Sequence, residues 1–142
     1  MKKLGIWMDK RVAYIITEDA KGSQKMQEVH STIEDFHVSG GSGTAMKGGP
    51  QDVVQDSRYL EREKHQFREY ANEISAHLKG ATQILIFGPA QAGERLEAEL
   101  LRSHPEIAAK IKAVSRADSM TENQMKAFVR EFFKTSRKRS VD

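Results

Sequence analysis

The sequence predicts an α/β fold, a single domain over residues 1–142 in which a mixed β-sheet is covered by three helices. Three strand-like runs lie close together at the N-terminus, which favours an antiparallel meander. Two further strand-like runs alternate with helical patterns, which is typical of parallel strands. The predicted order is therefore β-β-β-loop-α-β-α-β-α. With 38% hydrophobic and 30% charged residues, the chain can bury one core.

The N-terminal strands are predicted from their β-branched and aromatic residues. The runs KLGIWMD and RVAYIIT flank a tight turn at Asp9-Lys10. The run KMQEVHSTIE alternates in polarity and predicts a third, half-exposed strand. Five of the ten glycines then fall between Gly40 and Gly49, where backbone entropy opposes stable local structure. A flexible glycine-rich loop is therefore predicted over residues 38–56.

A long helix is predicted after this loop, with Asp56 or Ser57 as its N-cap and Gly80 as its C-terminal stop. Apolar residues with helical spacing form its predicted inner face: Leu60, Phe67, Tyr70, Ala71, Ile74 and Leu78. Charged residues form the predicted outer face: Arg58, Glu61, Arg62, Glu63, Lys64, Arg68 and Glu69.

The second half of the chain is predicted to complete the sheet. The apolar run QILIFG indicates a buried parallel strand, and AKIKAVS indicates a shorter one. The helix between them, AGERLEAELLRSH, has a predicted inner face of Leu96, Leu100 and Leu101. The last helix opens with Thr121 and Gln124, the spacing of a capping box. Its predicted inner face consists of Met125, Phe128, Val129, Phe132 and Phe133. Four positive charges in KTSRKR predict a basic tail over residues 134–142.

Composition excludes several kinds of chemistry. The absence of cysteine excludes disulfides, thiolate catalysis and cysteine-bound zinc, and it fits a reducing cytoplasm. The five histidines show no metal-ligand spacing, and neither a metal nor a cofactor is predicted. A formal charge of +3 is too balanced to indicate nucleic-acid binding by itself. Asp9, Lys10 and Arg11 interrupt the first apolar run, so neither a signal peptide nor a membrane span is expected.

The turn GPAQAG at 88–93 lies between a strand and a helix, where phosphate-binding turns occur. It lacks the GxGxxG spacing and a following Gly-Lys-Ser/Thr, so a plain strand–helix turn is favoured over a nucleotide site. The sequence also contains no Gly-x-Ser-x-Gly elbow and indicates no catalytic triad. A nucleotide-dependent enzyme is therefore the weakest functional alternative.

The glycine pair Gly48-Gly49 lets the backbone approach a ligand closely, because no Cβ intervenes. The N-terminus of the following helix adds a positive dipole end, and its basic side chains can contact phosphates. These parts suit insertion into a crowded, phosphate-lined cavity. From composition alone, a flexible linker ahead of a solvated helix is the favoured interpretation.

The stretch GGPQDVVQDSRYLEREKHQF resembles the central domain of the archaeal and eukaryotic class-1 peptide release factors and their Pelota-like relatives, especially the small stand-alone bacterial type. In that superfamily a Gly-Gly-Gln loop leads into a basic helix. Counting forward from Gln51, Arg58 and His65 fall on a family arginine and a family histidine. Lys47 matches the basic residue before the glycines. Downstream, ILIFGPAQAGERLEAELL is similar to the strand–loop–helix that follows in the family.

The resemblance implies a translation protein that acts at ribosomes on peptidyl-tRNA. It implies catalytic roles for Gly48, Gly49 and Gln51, because in the family the glycines allow close approach and the glutamine orients a water against the ester bond. The implied RNA-binding residues are Lys47, Arg58, Arg62, Lys64, His65 and Arg68.

Two departures from the family pattern bear on this function. Pro50 stands between Gly49 and Gln51, where it fixes φ and removes an N–H group. If the amide after the second glycine stabilises developing charge, Pro50 deletes that donor. The codon-reading and partner-recruiting domains of the release factors are also not expected within 142 residues.

The leading hypothesis is therefore a cytoplasmic, release-factor-like translation protein with ribosomal RNA and peptidyl-tRNA as partners. The sequence leaves open whether it hydrolyses the peptidyl-tRNA ester. The alternative is a non-catalytic module that keeps the fold and binds ribosomal RNA or another copy of itself.

Overall fold

A five-stranded mixed sheet forms the centre of the molecule, with strand order β3-β2-β1-β4-β5. The computed structural model describes residues 2–33 and 49–141, and it describes side chains in these ranges outside 49–57 and 135–141. The strands are β1 (Lys3–Met8), β2 (Val12–Glu18), β3 (Gln24–His30), β4 (Gln83–Gly88) and β5 (Ile111–Arg116). The helices are α1 (Gly49–His77), α2 (Ala92–Ser103), α3 (Pro105–Ala108) and α4 (Glu122–Val141).

The pairing of the strands confirms the predicted mixture of directions. β1 pairs antiparallel with β2, and β2 pairs antiparallel with β3, so the N-terminal meander is present. β1 also pairs parallel with β4, and β4 pairs parallel with β5. The tight turn at Asp9 is closed by its own carboxylate, whose Oδ1 accepts hydrogen bonds from the N–H groups of Arg11 and Val12 at 2.8 and 2.9 Å.

Helices cover both faces of the sheet and create two hydrophobic clusters. Alternate residues of a strand point to opposite faces, so β1 contributes to both clusters. α1 and α2 pack on one face, where the buried residues include Leu4, Ile6, Ile84, Ile86, Phe67, Tyr70, Ile74, Leu96 and Leu100. α4 packs on the other face, where the buried residues include Trp7, Ile16, Leu85, Phe87, Met125, Val129 and Phe133. The result is a three-layer α/β/α domain.

Gly5 allows α4 to pack closely on β1. A Cβ atom at this position would lie only 2.2 Å from Cγ2 of Val129, far inside van der Waals contact. Val129 itself is fully buried. The small residue in the centre of the sheet therefore sets the distance between the strand and the helix.

The long helix begins earlier than predicted. α1 starts at Gly49 rather than after a cap at Asp56 or Ser57, so the part of the predicted loop from 49 to 56 is helical. Pro50 is compatible with this start, because proline lacks only an N–H group that the first turn leaves without an intrahelical partner. The rest of the predicted loop, 38–48, lies outside the described residues.

The predicted burial is wrong for three residues. Leu60 is 55% exposed and Leu101 is 60% exposed, although both fit the apolar spacing of their helices. Glu63 was assigned to the outer face of α1, but only 7% of it is exposed. Leu60 is exposed because it precedes Glu63, the first buried residue of α1 among those whose burial is described.

The C-terminal part of the chain confirms the predicted capping box. The N–H of Thr121 donates to Oε1 of Gln124 at 2.9 Å, and the N–H of Gln124 donates to Oγ1 of Thr121 at 3.1 Å. α4 then runs to Val141, so the backbone of the predicted basic tail continues the helix to that residue. The short helix α3 was not predicted.

Candidate functional site

The predicted catalytic segment lies at the N-terminus of α1. Gly49 is the first residue of the helix, and Pro50 and Gln51 follow in its first turn. Gly48 and Lys47 lie outside the described residues. The first four N–H positions of an α-helix have no intrahelical acceptor, and the helix dipole makes this end positive. The glutamine is thus carried on helical backbone close to a positive end.

The predicted RNA-binding residues on α1 are all exposed: Arg58, Arg62, Lys64, His65 and Arg68. With 3.6 residues per turn, Arg58, Arg62 and His65 lie within an arc of about 60°, and Arg68 lies beside His65. Lys64 is about 160° around the helix from Arg62 but only about 40° from Arg68, one turn later. The five residues therefore form one basic row, a band about 160° wide with Arg62 and Lys64 at its two borders.

Carboxylates accompany this basic row. Oε2 of Glu69 lies 3.6 Å from Nε2 of His65, and Oε2 of Glu99 on α2 lies 3.9 Å from Nε of Arg68. The His65–Glu69 pair is exposed on both sides, and a pair of this kind contributes about 0–1 kcal/mol to stability. The Arg68 side chain is also more than half exposed, although Glu99 is mostly buried. A stronger anion such as a phosphate can therefore compete for these basic side chains at low cost.

Sequence reasoning missed the ion pair that holds α1 in place. Nη1 and Nη2 of Arg95 on α2 each donate to a carboxylate oxygen of Glu63 at 2.8 Å, a bidentate pair. Nζ of Lys10, in the turn between β1 and β2, lies 3.6 Å from the same carboxylate. The Arg95 guanidinium also stacks 4.1 Å from the ring centroid of Phe67. These contacts join α1, α2 and the first turn of the sheet.

Glu63 and Arg95 shift each other's pKa values in the directions expected for an ion pair. The hydrogen bonds from Arg95 hold the pKa of Glu63 below its ordinary value, and they outweigh the opposing effect of burial. The hydrogen bonds to Glu63 likewise raise the pKa of Arg95. Both groups are therefore charged at neutral pH.

Tyr70 provides a second attachment of α1 to the sheet. Its hydroxyl donates to the backbone carbonyl of Asp9 at 2.9 Å, and its ring is buried. Burial, together with the neighbouring Asp9 carboxylate, raises the pKa of Tyr70 far above its ordinary value. The phenol consequently stays protonated and keeps donating this hydrogen bond over the whole physiological pH range.

The candidate residues are distributed along a rod rather than gathered in a cleft. The helical rise places Gly49 roughly 28 Å along the axis from Arg68. One end of the rod carries the glycine and glutamine, its middle carries the basic row, and its buried half is attached to the body through Glu63 and Tyr70. Such an arrangement can present a terminal segment at a distance while the basic row contacts an extended polyanion.

Within the described residues, the structure shows no group of three or more His, Asp or Glu side chains arranged to hold a metal ion. None of the described helices combines the length and apolar character needed to cross a membrane.

Solved structures that share the fold of this chain include an archaeal Pelota and an archaeal translation termination factor. Archaeoglobus fulgidus Pelota matches it with a TM-score of 0.54 and 12% sequence identity, over 99% of this chain and 37% of the Pelota chain. The archaeal translation termination factor aRF1 matches it with a TM-score of 0.53 and 11% identity, over 99% of this chain and 42% of the aRF1 chain. No family profile matches the sequence, and no curated protein sequence matches it significantly.

Both structural likenesses concern the fold of the whole chain. The match extends over nearly the whole chain, so it includes both the sheet and the helices on its two faces. The chain spans less than half the length of either structure. At 11–12% identity the likeness establishes a common fold.

Proposed function

We propose that this chain is a release-factor-like translation protein that acts at ribosomes, as a counterpart of the central domain in the superfamily of release factors and Pelota. The observation that carries the proposal is its fold, which matches an archaeal translation termination factor over 99% of the chain. The sequence supports it further, because the resemblance assigns the catalytic loop to the segment Gly48-Gly49-Pro50-Gln51, and the basic residues of α1 follow that segment in the sequence.

In this proposal, α1 carries the Gly-Gly-Pro-Gln segment toward the ester bond of peptidyl-tRNA. The basic row of α1 contacts ribosomal RNA phosphates, and Lys47 adds a further charge just before the glycine pair in the sequence. If the protein is catalytic, Gln51 orients the attacking water and the glycine backbone permits close approach. The ion pair between Glu63 and Arg95 fixes the direction of the helix relative to the body.

Ribosome binding and peptide release test the two parts of this proposal separately. Purified protein is mixed with ribosomes that carry peptidyl-tRNA, and co-sedimentation and released peptide are measured in the same samples. We expect Gln51→Ala to retain binding and to lose release. We expect Arg58→Gln to weaken binding and to reduce the slope of log affinity against log salt concentration by about 1.

Arg130→Gln is the matched control for the charge change. Arg130 is an exposed arginine on α4, which packs on the face of the sheet opposite α1 and its basic row. Its substitution should leave both affinity and salt slope unchanged. Absence of ribosome binding at low salt would contradict the proposal as a whole.

Pro50 favours a second candidate, a ribosome-binding or self-associating module without hydrolytic activity. Proline has no N–H group, so the residue directly after the glycine pair cannot donate a hydrogen bond to a developing oxyanion. Loss of one such donor lowers a rate by about 10²–10³-fold. This candidate predicts salt-sensitive co-sedimentation with no peptide release above background, and no gain or loss on Gln51→Ala.

Pro50→Gly distinguishes a hindered enzyme from a module without the chemistry. The substitution restores an N–H group and a flexible backbone at this position. If Pro50 alone limits hydrolysis, release should rise by at least tenfold while ribosome affinity stays within a factor of about two. An unchanged background rate would favour the non-catalytic module.

A further inference from the structure

A cavity of about 600 Å³ lies at the edge of the sheet, away from the predicted catalytic segment. Its walls come from the turn after β1, from residues 89–92 between β4 and α2, and from Arg116 at the end of β5. The three parallel strands β1, β4 and β5 therefore all direct their carboxyl ends toward it.

This position is the topological switch point of the sheet. From β1 the chain continues to β2 and β3 on one side, whereas β4 and β5 lie on the other side. Connections leave the neighbouring strands β1 and β4 in opposite directions, which opens a crevice between them. Open α/β sheets bind their ligands in such a crevice, outside the carboxyl ends of the strands.

Four cationic side chains from three segments of the chain line the cavity: Lys10, Arg11, Arg95 and Arg116. One carboxylate, that of Asp9, also lines it. Oδ1 of Asp9 is already engaged by two backbone N–H groups of its own turn. The charges that face the cavity are therefore predominantly positive.

Arg95 is held in a fixed position at the wall. Its two hydrogen bonds to Glu63 and its stacking on Phe67 fix the guanidinium plane. A guanidinium has five N–H donors, so the bidentate pair leaves three of them for another acceptor. The Glu63 carboxylate lies behind this group and is almost fully buried, whereas 37% of the Arg95 side chain remains exposed.

Arg116 can accept a ligand at little cost. Nη2 of Arg116 lies 3.3 Å from Oε1 of Glu94, and both side chains are more than half exposed. An exposed pair of this kind has a small net stability. A multiply charged oxyanion in the cavity would bind Arg116 more strongly than a single solvated carboxylate does.

We propose that this cavity binds a small ligand through a diphosphate or triphosphate group, held by Lys10, Arg95 and Arg116. The volume suits a small molecule of this kind. No aromatic side chain lines the cavity in the described part of the chain, so the lining offers no platform on which bases of single-stranded RNA would stack. The phosphate groups themselves therefore provide the recognition.

Calorimetric titration of the purified protein tests this site with pyrophosphate, ATP and GTP as separate probes. We expect all three to bind, because they share the phosphate group. Arg116→Gln and Lys10→Gln should each weaken binding by about tenfold or more, the usual effect of losing one hydrogen bond to a charged group. Tighter binding of ATP or GTP than of pyrophosphate would identify a nucleotide as the natural source of the group.

Arg102→Gln serves as the matched control, because Arg102 belongs to the same helix as Arg95 but does not line the cavity. It should change the affinity by less than a factor of about two. Melting temperatures of all variants establish that they are folded. Amide shifts of residues 90–92 on addition of pyrophosphate would support the location.

Three results would overturn the proposal. One is the absence of binding by every probe at millimolar concentration. Another is an equal loss of affinity in Arg102→Gln and Arg116→Gln, which would indicate diffuse attraction by the whole surface. The third is binding of an RNA oligonucleotide that depends on Lys10 and Arg116 and that none of the small phosphates displaces. None of these results depends on ribosome binding.

Discussion

Replacement of Glu63 by glutamine tests whether the buried ion pair holds α1 on the body. Glu63→Gln keeps the size of the side chain but removes its charge, and the amide can accept from Arg95 through one oxygen only. Arg95 then loses one of two 2.8 Å hydrogen bonds, and Lys10 loses the carboxylate that lies 3.6 Å from its Nζ. The substitution leaves the apolar contacts of α1 in place.

The magnitude follows from how deeply the partners are buried. Breaking a fully buried pair costs about 3–5 kcal/mol, and breaking an exposed one costs about 0–1 kcal/mol. The Glu63 side chain is 9% exposed, but those of Arg95 and Lys10 are 37% and 47% exposed. We therefore expect a loss of about 2 kcal/mol in the free energy of unfolding, or roughly 6 °C in Tm for a domain of this length.

Urea unfolding at a series of pH values measures this contribution and its sign. The folded-state pKa of Glu63 is lower than its ordinary value of 4.5, so the ionised pair stabilises the folded state above that pH. As the pH falls below 4.5 and through the lowered pKa, Glu63 becomes protonated in the wild-type protein as well. The difference between the wild type and Glu63→Gln should therefore be full at neutral pH and disappear in acid.

Glu61→Gln is the control, because Glu61 is exposed two residues earlier on the same helix. It should change stability by no more than about 0.5 kcal/mol. If Glu63→Gln is no more destabilising than Glu61→Gln, or if its effect is the same at acid and neutral pH, the assigned role of the pair is wrong.

Two further substitutions test the packing of α4. Gly5→Ala places a Cβ atom 2.2 Å from Cγ2 of Val129 and should cost about 1–3 kcal/mol in urea unfolding. Val129→Ala in the same chain should recover part of that loss, whereas additive losses would argue against a clash. Thr121→Ala removes the hydroxyl that accepts the Gln124 N–H and should cost about 1 kcal/mol by thermal unfolding. An unchanged Tm would show that the capping box does not stabilise α4.

Much of the fold could be predicted because its signals are local. The apolar runs of β1 and β4, the turn at Asp9 and the pair of Thr121 and Gln124 each lie within a few residues of sequence. Each of these signals depends on short-range geometry, and the structure confirms the strands, the turn and the capping box that they predict. The order of strand directions followed from the same runs and the lengths of chain between them.

Other features depend on contacts between distant segments of the chain. The apolar spacing within one helix does not reveal such contacts. Leu60 continues the apolar spacing of α1, yet it precedes the first buried turn and stays exposed. Glu63 looks like an outer-face charge because its partner, Arg95, lies 32 positions later in the chain. The cavity at the switch point also combines side chains from separate segments, so the turn at 88–93 alone does not indicate it.

The candidate functional residues divide in the same way. The Gly-Gly-Pro-Gln segment and the basic row are visible as letters in one stretch of the sequence. The direction in which this stretch points is determined by Glu63, Tyr70 and their distant partners. Sequence patterns therefore indicated the candidate residues, but not the groups that orient the helix carrying them.

α1 has 29 residues, and Glu63 is its first buried residue among the positions whose burial is described. Measured from Glu63 as a pivot, the 14 helical residues from Gly49 to Arg62 extend for about 21 Å. A tilt of 5° at its pivot would move the tip by about 2 Å, more than the tolerance for in-line attack on an ester. Substitutions at the pivot should thus alter any reaction at the tip without touching the reacting groups.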